Sequence, residues 1–302
     1  MGLSRLRGCF ENAIFHYNDI VQGIEFLYMG RMQTHPTCYP TNLTDEEWNQ
    51  IQSLVPAPKS GNGKRGRPIA LERRDLMNAV FYVVRSGCAW RLLPRDFGPW
   101  QTIYGYYRRW CQDWTWTFIH DTLRDWLRKT EGRNVAPTAA IVDSQSVKTP
   151  DQAGERGYDA GKKIKGRKRH LAVDCLGLIL GVLITSAAVQ DRDAAKTLIG
   201  GLVKLFGRLQ IIWADGGYLG KLVPWVKALR PYGKLKLEIV RRSDRAKGFK
   251  VQPKRWLVER TFGWLVKSRR LCRDYEVRPD HSEAMIRICM IRLMVRRLVK
   301  AT

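Results

Sequence analysis

The chain of 302 residues is poor in acid: 28 Asp and Glu stand against 53 Lys and Arg, for a formal net charge of +25. That deficit speaks against an acidic-surface enzyme and points to a polyanionic partner, nucleic acid before anionic membrane. The seven cysteines form no CxxC pair. Their odd number fits neither a disulfide framework nor a zinc knuckle, so a reducing cytoplasm is the simplest setting. The five scattered histidines contain no HExxH, which argues against a histidine-based zinc centre. No apolar run reaches the ~20 residues of a spanning helix. The N-terminus lacks the apolar core and small-residue cleavage site of a signal peptide. What is present is enough apolar material for a full core, 44% of residues, in a length of about two domains.

The texture changes along the chain. Residues 1–43 form a lead-in. Met32 is one possible start, which would leave 1–31 as upstream read-through; a genuine N-terminal arm is the other reading. Residues 44–130 look all-helical. Thr44-Asp45-Glu46-Glu47 predicts a capping box. Further helices are expected over 71–85, 101–111 and 114–127, with a basic Gly-rich loop at 59–68. Residues 131–137 make a linker. From 138 to 302 strands alternate with helices. Strands are expected at 139–143, 170–177, 178–186, 209–215 and 237–242, and helices at 191–206, 219–229, 251–270 and 282–299. The basic run 162–170 reads as a loop leading from one candidate strand to the next.

Two predicted strands end in an acid followed by a turn: Asp143 in IVDSQS and Asp215 in WADGGY. Strand interiors avoid Asp, and strand C-terminal ends are where sites collect in α/β sheets. Taken singly, each could merely cap its turn. A third acid, Glu259, shares a helix face with Arg255, four residues earlier. Alone it reads as a surface ion pair. Together the three supply the hard oxygen donors that two-metal phosphoryl chemistry requires, and the abundant Lys and Arg supply phosphate contacts. Within 162–170, Lys162, Lys163, Lys165, Arg167, Lys168 and Arg169 are candidates for DNA contact. In the helical region Lys64, Arg65 and Arg67 of the basic loop are further candidates, as are Arg108 and Arg109 beside Trp100, Tyr104 and Tyr106.

In this order, Asp143, Asp215 and Glu259 resemble the DDE triad of bacterial insertion-sequence transposases, and more narrowly insertion-sequence family five. Seven motifs carry the resemblance: NLTDEEW, SGCAWRLLP, IVDSQSVKT, GYDAGKKIKGRKRHLAVDCLGL, VQDRD, WADGGY and RWLVERTFGWL, spanning roughly 42–276. It implies an α/β fold, an RNase H-like mixed sheet with flanking helices, preceded by an all-α helix–turn–helix-like domain over 44–130. It implies metal-dependent cleavage and strand transfer with two Mg²⁺ ions, replaceable by Mn²⁺, on Asp143, Asp215 and Glu259. The implied partner is double-stranded DNA, as terminal inverted repeats and target, bound by a homodimer in the bacterial cytoplasm at the nucleoid. The family's Tyr-x2-Arg-x3-Glu-x6-Lys signature is only partly matched. Arg255 and Glu259 fit, Gln252 stands at the Tyr position, and the closing base is either Lys267 or Arg270. A nuclease or resolvase that cuts without joining, and a catalytically silent DNA-binding regulator, are the rival expectations.

Overall fold

The computed structural model describes residues 39–57, 71–151, 154–230, 233–240 and 254–301. The expectations for the lead-in up to residue 38 and for Lys64, Arg65 and Arg67 fall outside the described residues. Helix α1 (Asp45–Ile51) starts as its sequence dictates. Thr44 accepts the Glu47 backbone N–H, and the Glu47 carboxylate accepts the Thr44 N–H in return. Helices α2 (Arg73–Ser86), α3 (Trp100–Gln112) and α4 (Thr115–Thr130) follow the expected apolar spacing.

From Ala139 the chain builds a six-stranded sheet among the described residues: β1 (Ala139–Lys148), β2 (Gly157–Asp159), β3 (Ile164–Val173), β4 (Ile179–Ser186), β5 (Ile211–Ala214) and β6 (Lys236–Ile239). β3 lies antiparallel to β1, with β4 and the short β2 on its other edge. β1 pairs parallel with β5, and β5 with β6. Helices α5 (Asp191–Leu205), α6 (Leu222–Ala228), α7 (Trp256–Val266) and α8 (Pro279–Ala301) complete the order.

Strand alternation sorts the core into two layers. Ala140, Val142, Ala172, Ile212 and Ala214 pack with α5 and α6 through Ala195, Leu198, Ile199, Leu202, Leu222 and Val226. Ile141, Leu171 and Val173 face the opposite way, in a cluster that also holds α7, α8 and the four N-terminal helices. Glu47 ties α1 to α8 by ion pairs to Arg292 and Arg296.

Two expectations need correction. The basic run at 162–170 is not a loop, because Ile164 onward is strand β3 and it is buried from Gly166 to Val173. Nor does the first acidic strand end at Asp143. β1 continues to Lys148 because β3 still pairs with it there, while β5 has already ended.

Candidate active site

Register brings the first two acids together. Ala139, Ala140 and Ile141 lie parallel beside Ile211, Ile212 and Trp213. Asp143 is two residues beyond Ile141, and Asp215 two beyond Trp213. Both carboxylates therefore leave neighbouring strands at one level, on the face that α7 covers. Asp143 stands where the sheet splits between a continuing β3 and a finished β5. Asp215 turns the chain, its carboxylate accepting the Gly217 N–H at 2.8 Å. Asp143 accepts the Ser144 N–H at 2.7 Å. Burial pushes the Asp143 carboxyl pKa up, against the pull of that N–H and of Arg255.

The third acid arrives on α7. A β-turn links β3 to β4, and it holds this helix in place. Asp174 accepts the Leu176 and Leu178 N–H groups at 2.8 Å each, and its other oxygen takes the buried Arg128 of α4. The turn's carbonyls then receive α7: Thr261 Oγ1 donates to Gly177 O at 2.8 Å and Arg260 Nη2 to Leu176 O at 2.9 Å. Gly177 itself has φ +76°, and an added Cβ would meet Thr261, Arg260 and Trp264 at 3.0–3.2 Å. So anchored, α7 points Arg255 and Glu259 at the sheet. Arg255 Nη2 lies 3.5 Å from Asp143 Oδ2, 3.7 Å from Asp215 Oδ2 and 3.8 Å from Glu259 Oε1. The three acid side chains are 15%, 33% and 53% exposed, so the cluster opens to solvent on the Glu259 side.

The donor set is three hard carboxylate oxygens, which suits Mg²⁺ or Mn²⁺ rather than a soft metal. Among the described residues no three His, Cys, Asp or Glu side chains are already drawn together as a metal cage. Here the Arg255 guanidinium stands between the acids.

The basic candidates divide sharply. Lys162, Lys163 and Lys165 are exposed on the β2–β3 hairpin, and Lys162 Nζ reaches the Ser144 carbonyl at 3.2 Å, beside Asp143. Lys267 is exposed just past α7. Arg108 and Arg109 are exposed on α3, over the rings of Tyr104 and Tyr106 at 5.8 and 5.2 Å. Four others are turned inward and are not presented to a phosphate. Arg167 donates to the Glu155, Glu276 and Val277 carbonyls and pairs with Asp274. Arg169 donates to the Leu271 and Arg273 carbonyls. Lys168 pairs with Asp159 and Asp191. Arg270 pairs with Glu276 at 2.7 Å. Their burial in and around a central strand, with carbonyl and carboxylate partners, is structural.

Trp256 and Trp264 flank Arg260 along α7. The Arg260 guanidinium lies 4.6 Å from the centroid of each ring. Their i, i+4, i+8 spacing was the available signal. Lys254 carries no comparable signal in the sequence; its ammonium lies 4.0 Å over the Trp213 ring next to the acids.

Comparison with known proteins agrees with this geometry. The family described as "Transposase DDE domain" matches residues 136–294, just over half of the chain. Residues 43–120 match the family described as "Putative transposase of IS4/5 family". The "putative transposase for insertion sequence element IS402" of Burkholderia cepacia is 30% identical over 160 residues, 50% of this chain and 72% of the relative. An insertion element IS402 uncharacterized 16.2 kDa protein of the same organism is 28% identical over 124 residues, 40% of this chain and 78% of the relative. An uncharacterized protein, y4sN, of Sinorhizobium fredii is 33% identical over 70 residues, 23% of this chain and 53% of the relative. The mixed sheet with its flanking helices is accordingly the RNase H-like fold that a DDE domain implies. The chain belongs to the DDE-domain transposases and is a DNA transposase of the bacterial insertion-sequence, IS4/5 type.

Proposed function

We propose that Asp143, Asp215 and Glu259 are the catalytic acids of this transposase and that they hold two Mg²⁺ ions, with Mn²⁺ as a substitute. The observation that carries the reading is the convergence of all three carboxylates, from two register-matched strand positions and one helix, on a single nitrogen of Arg255. Dependence on a divalent metal comes with the family; the choice of Mg²⁺ and the count of two follow from the hard donor set and the phosphoryl chemistry. When bound, the metal supplies Lewis acidity at the scissile phosphate and an activated water or 3′-hydroxyl.

The protein's own residues do the rest. Asp143, the most buried acid, fixes the inner edge of the site. Glu259 closes the solvent-facing side. Arg255 presents a planar guanidinium that matches a phosphate's geometry. Lys162, beside Asp143, and the exposed Lys163, Lys165 and Lys267 track the DNA backbone. Hydrolysis at the element boundary frees a 3′-hydroxyl, which attacks target DNA by in-line transesterification. In this reading residues 44–130 form the domain that recognises the terminal inverted repeats. Arg108 and Arg109 lie on its exposed face, 131–137 are the linker, and 138–302 are the catalytic domain. Two element ends must be joined, so a homodimer assembles on DNA, in the bacterial cytoplasm at the nucleoid.

The test uses purified protein and DNA carrying one element end from the gene's own flanks, with a plasmid target. Mg²⁺-dependent cleavage and joining are expected in wild type, with each of Asp143→Asn, Asp215→Asn and Glu259→Gln at least ~10³-fold slower, a loss of about 4 kcal/mol in transition-state stabilisation. Undiminished cleavage in any one variant would remove that acid from the triad.

A further inference from the structure

Three carboxylates gathered on one face repel one another unless a cation stands among them. Here the cation is part of the chain. Arg255 Nη2 is within 3.8 Å of an oxygen of each acid. Among the described residues no other basic side chain pairs with all three. Lys162 is held at the Ser144 carbonyl, and Lys254 lies over Trp213. A divalent ion bound by any of these oxygens sits about 2.0–2.6 Å from it, closer than the guanidinium does, so it contends with the guanidinium for the same lone pairs. Arg255 is the residue immediately before α7 and its side chain is 18% exposed. A guanidinium binds a phosphodiester through two parallel N–H bonds, a geometry shorter and better aligned than its 3.5–3.8 Å approaches to these three acids.

We propose that Arg255 is a tethered counter-cation: it holds the acidic cluster together in the DNA-free protein, opposes metal entry there, and surrenders the cluster when a DNA phosphate takes its guanidinium. Metal loading and DNA binding then favour each other, and by linkage each raises the affinity for the other by the same factor. The consequence is a transposase whose nuclease centre is loaded on DNA rather than in advance. This rests on the reading of the three acids as metal ligands.

The test measures binding, not turnover. Ca²⁺ and Mn²⁺ are titrated calorimetrically into the full chain without DNA, for wild type, Arg255→Gln, Arg255→Lys and Glu259→Gln. Arg255→Gln is expected to bind about tenfold more tightly than wild type, a difference of ~1.4 kcal/mol. Its melting temperature is expected to be lower than wild type without metal and to rise more when metal is added. Arg255→Lys keeps the charge but not the fork, and is expected to fall between the two. It also carries the test if the glutamine variant does not fold. In a second arm, anisotropy of a labelled duplex is followed with and without Ca²⁺. The gain in duplex affinity on adding Ca²⁺ is expected to be larger in wild type than in Arg255→Gln.

Metal affinity in both Arg255 variants no tighter than in wild type, or equal Ca²⁺ gains in the two proteins, would overturn the proposal while leaving the acids as ligands. If no protein binds a divalent ion, or if Glu259→Gln binds as wild type does, the ligand reading itself fails and takes this proposal with it.

Discussion

Lys267 and Arg270 lie three residues apart, yet they have opposite surroundings. Lys267 is exposed beyond the last turn of α7, whereas Arg270 is buried against Glu276, bonded at 2.7 and 2.9 Å. Arg270→Ala is expected to lower stability by roughly 3 kcal/mol or more, because it leaves a buried carboxylate unpaired; urea denaturation reads this directly. Lys267→Ala is expected to leave the urea midpoint unchanged and to weaken duplex binding across all sequences, with a salt slope smaller by about 1. A variant pair behaving the other way round would show that the buried arginine swings out on DNA. Sequence spacing left these two residues as alternatives because it projected one unbroken helix over 251–270, at ~100° per residue. The described helix stops at Val266, and a separate turn, Arg269–Leu271, follows. The acids were easier to read. Asp in a β-branched apolar run contradicts local propensity, and that contradiction is visible without coordinates. The counter-cation was only half legible: i, i+4 spacing puts Arg255 beside Glu259 but says nothing of Asp143 and Asp215.

Elements, more than residues, decide where Glu259 points. α7 touches the sheet through the Asp174–Gly177 turn, and Gly177 sits there with a left-handed backbone under the Thr261 hydroxyl and the Trp264 ring. Gly177→Ala adds a backbone cost of about 1–2 kcal/mol and a methyl where neighbours already stand at 3.0–3.2 Å. The variant is expected to melt several degrees lower, on the scale of ~2–4 °C per kcal/mol for a domain of this size. It is also expected to lose cleavage rate in excess of that melting change, since a shifted α7 displaces Glu259. Normal activity at temperatures well below melting would show that the turn supports the fold but not the site. β3 shows why some elements escape sequence reading. Six of its first seven residues are charged, glycine or His after a single Ile, which resembles a solvated loop by composition. It becomes a central strand because both edges are paired and because Arg167 and Arg169 extend their stems to carbonyls beyond the sheet. Arg167→Gln is therefore expected to destabilise the chain while leaving its salt-dependent DNA affinity per folded molecule unchanged, as chemical denaturation and anisotropy on the same preparation would show.

At the scale of the whole molecule, the net charge of +25 sets partner choice, but the interior sets the response to acid. His120, His170 and His281 are buried, and burial lowers the pKa of each, that of His170 to about 4. For His170, Asp191 opposes this shift while Lys168 and Lys162 reinforce it. Each of the three keeps one ring nitrogen without a hydrogen-bond partner among the described residues, so a second ring proton would enter without a partner. The sign follows from proton uptake. Below the ordinary histidine pKa of 6.5 the unfolded chain binds a proton that folded His170 refuses until about pH 4. Stability therefore falls with pH across that interval and levels off below it. At pH 5.5 the loss from His170 alone is about 1.4 kcal/mol relative to pH 7.5, and His120 and His281 add to it in the same direction. The buried carboxyls Glu276 and Glu283, whose pKa values burial raises, shift the balance the other way, so the histidine share is read from the difference between wild type and a His170 variant. Urea denaturation at pH 7.5 and 5.5 should show the drop, and His170→Gln should reduce it by about 1.4 kcal/mol while keeping a polar group opposite Thr185, which the native ring meets at 2.9 Å. An unchanged pH dependence in that variant would mean that His170 takes its proton in the folded protein, and that the strand pair β3–β4 opens to solvent at mild acidity.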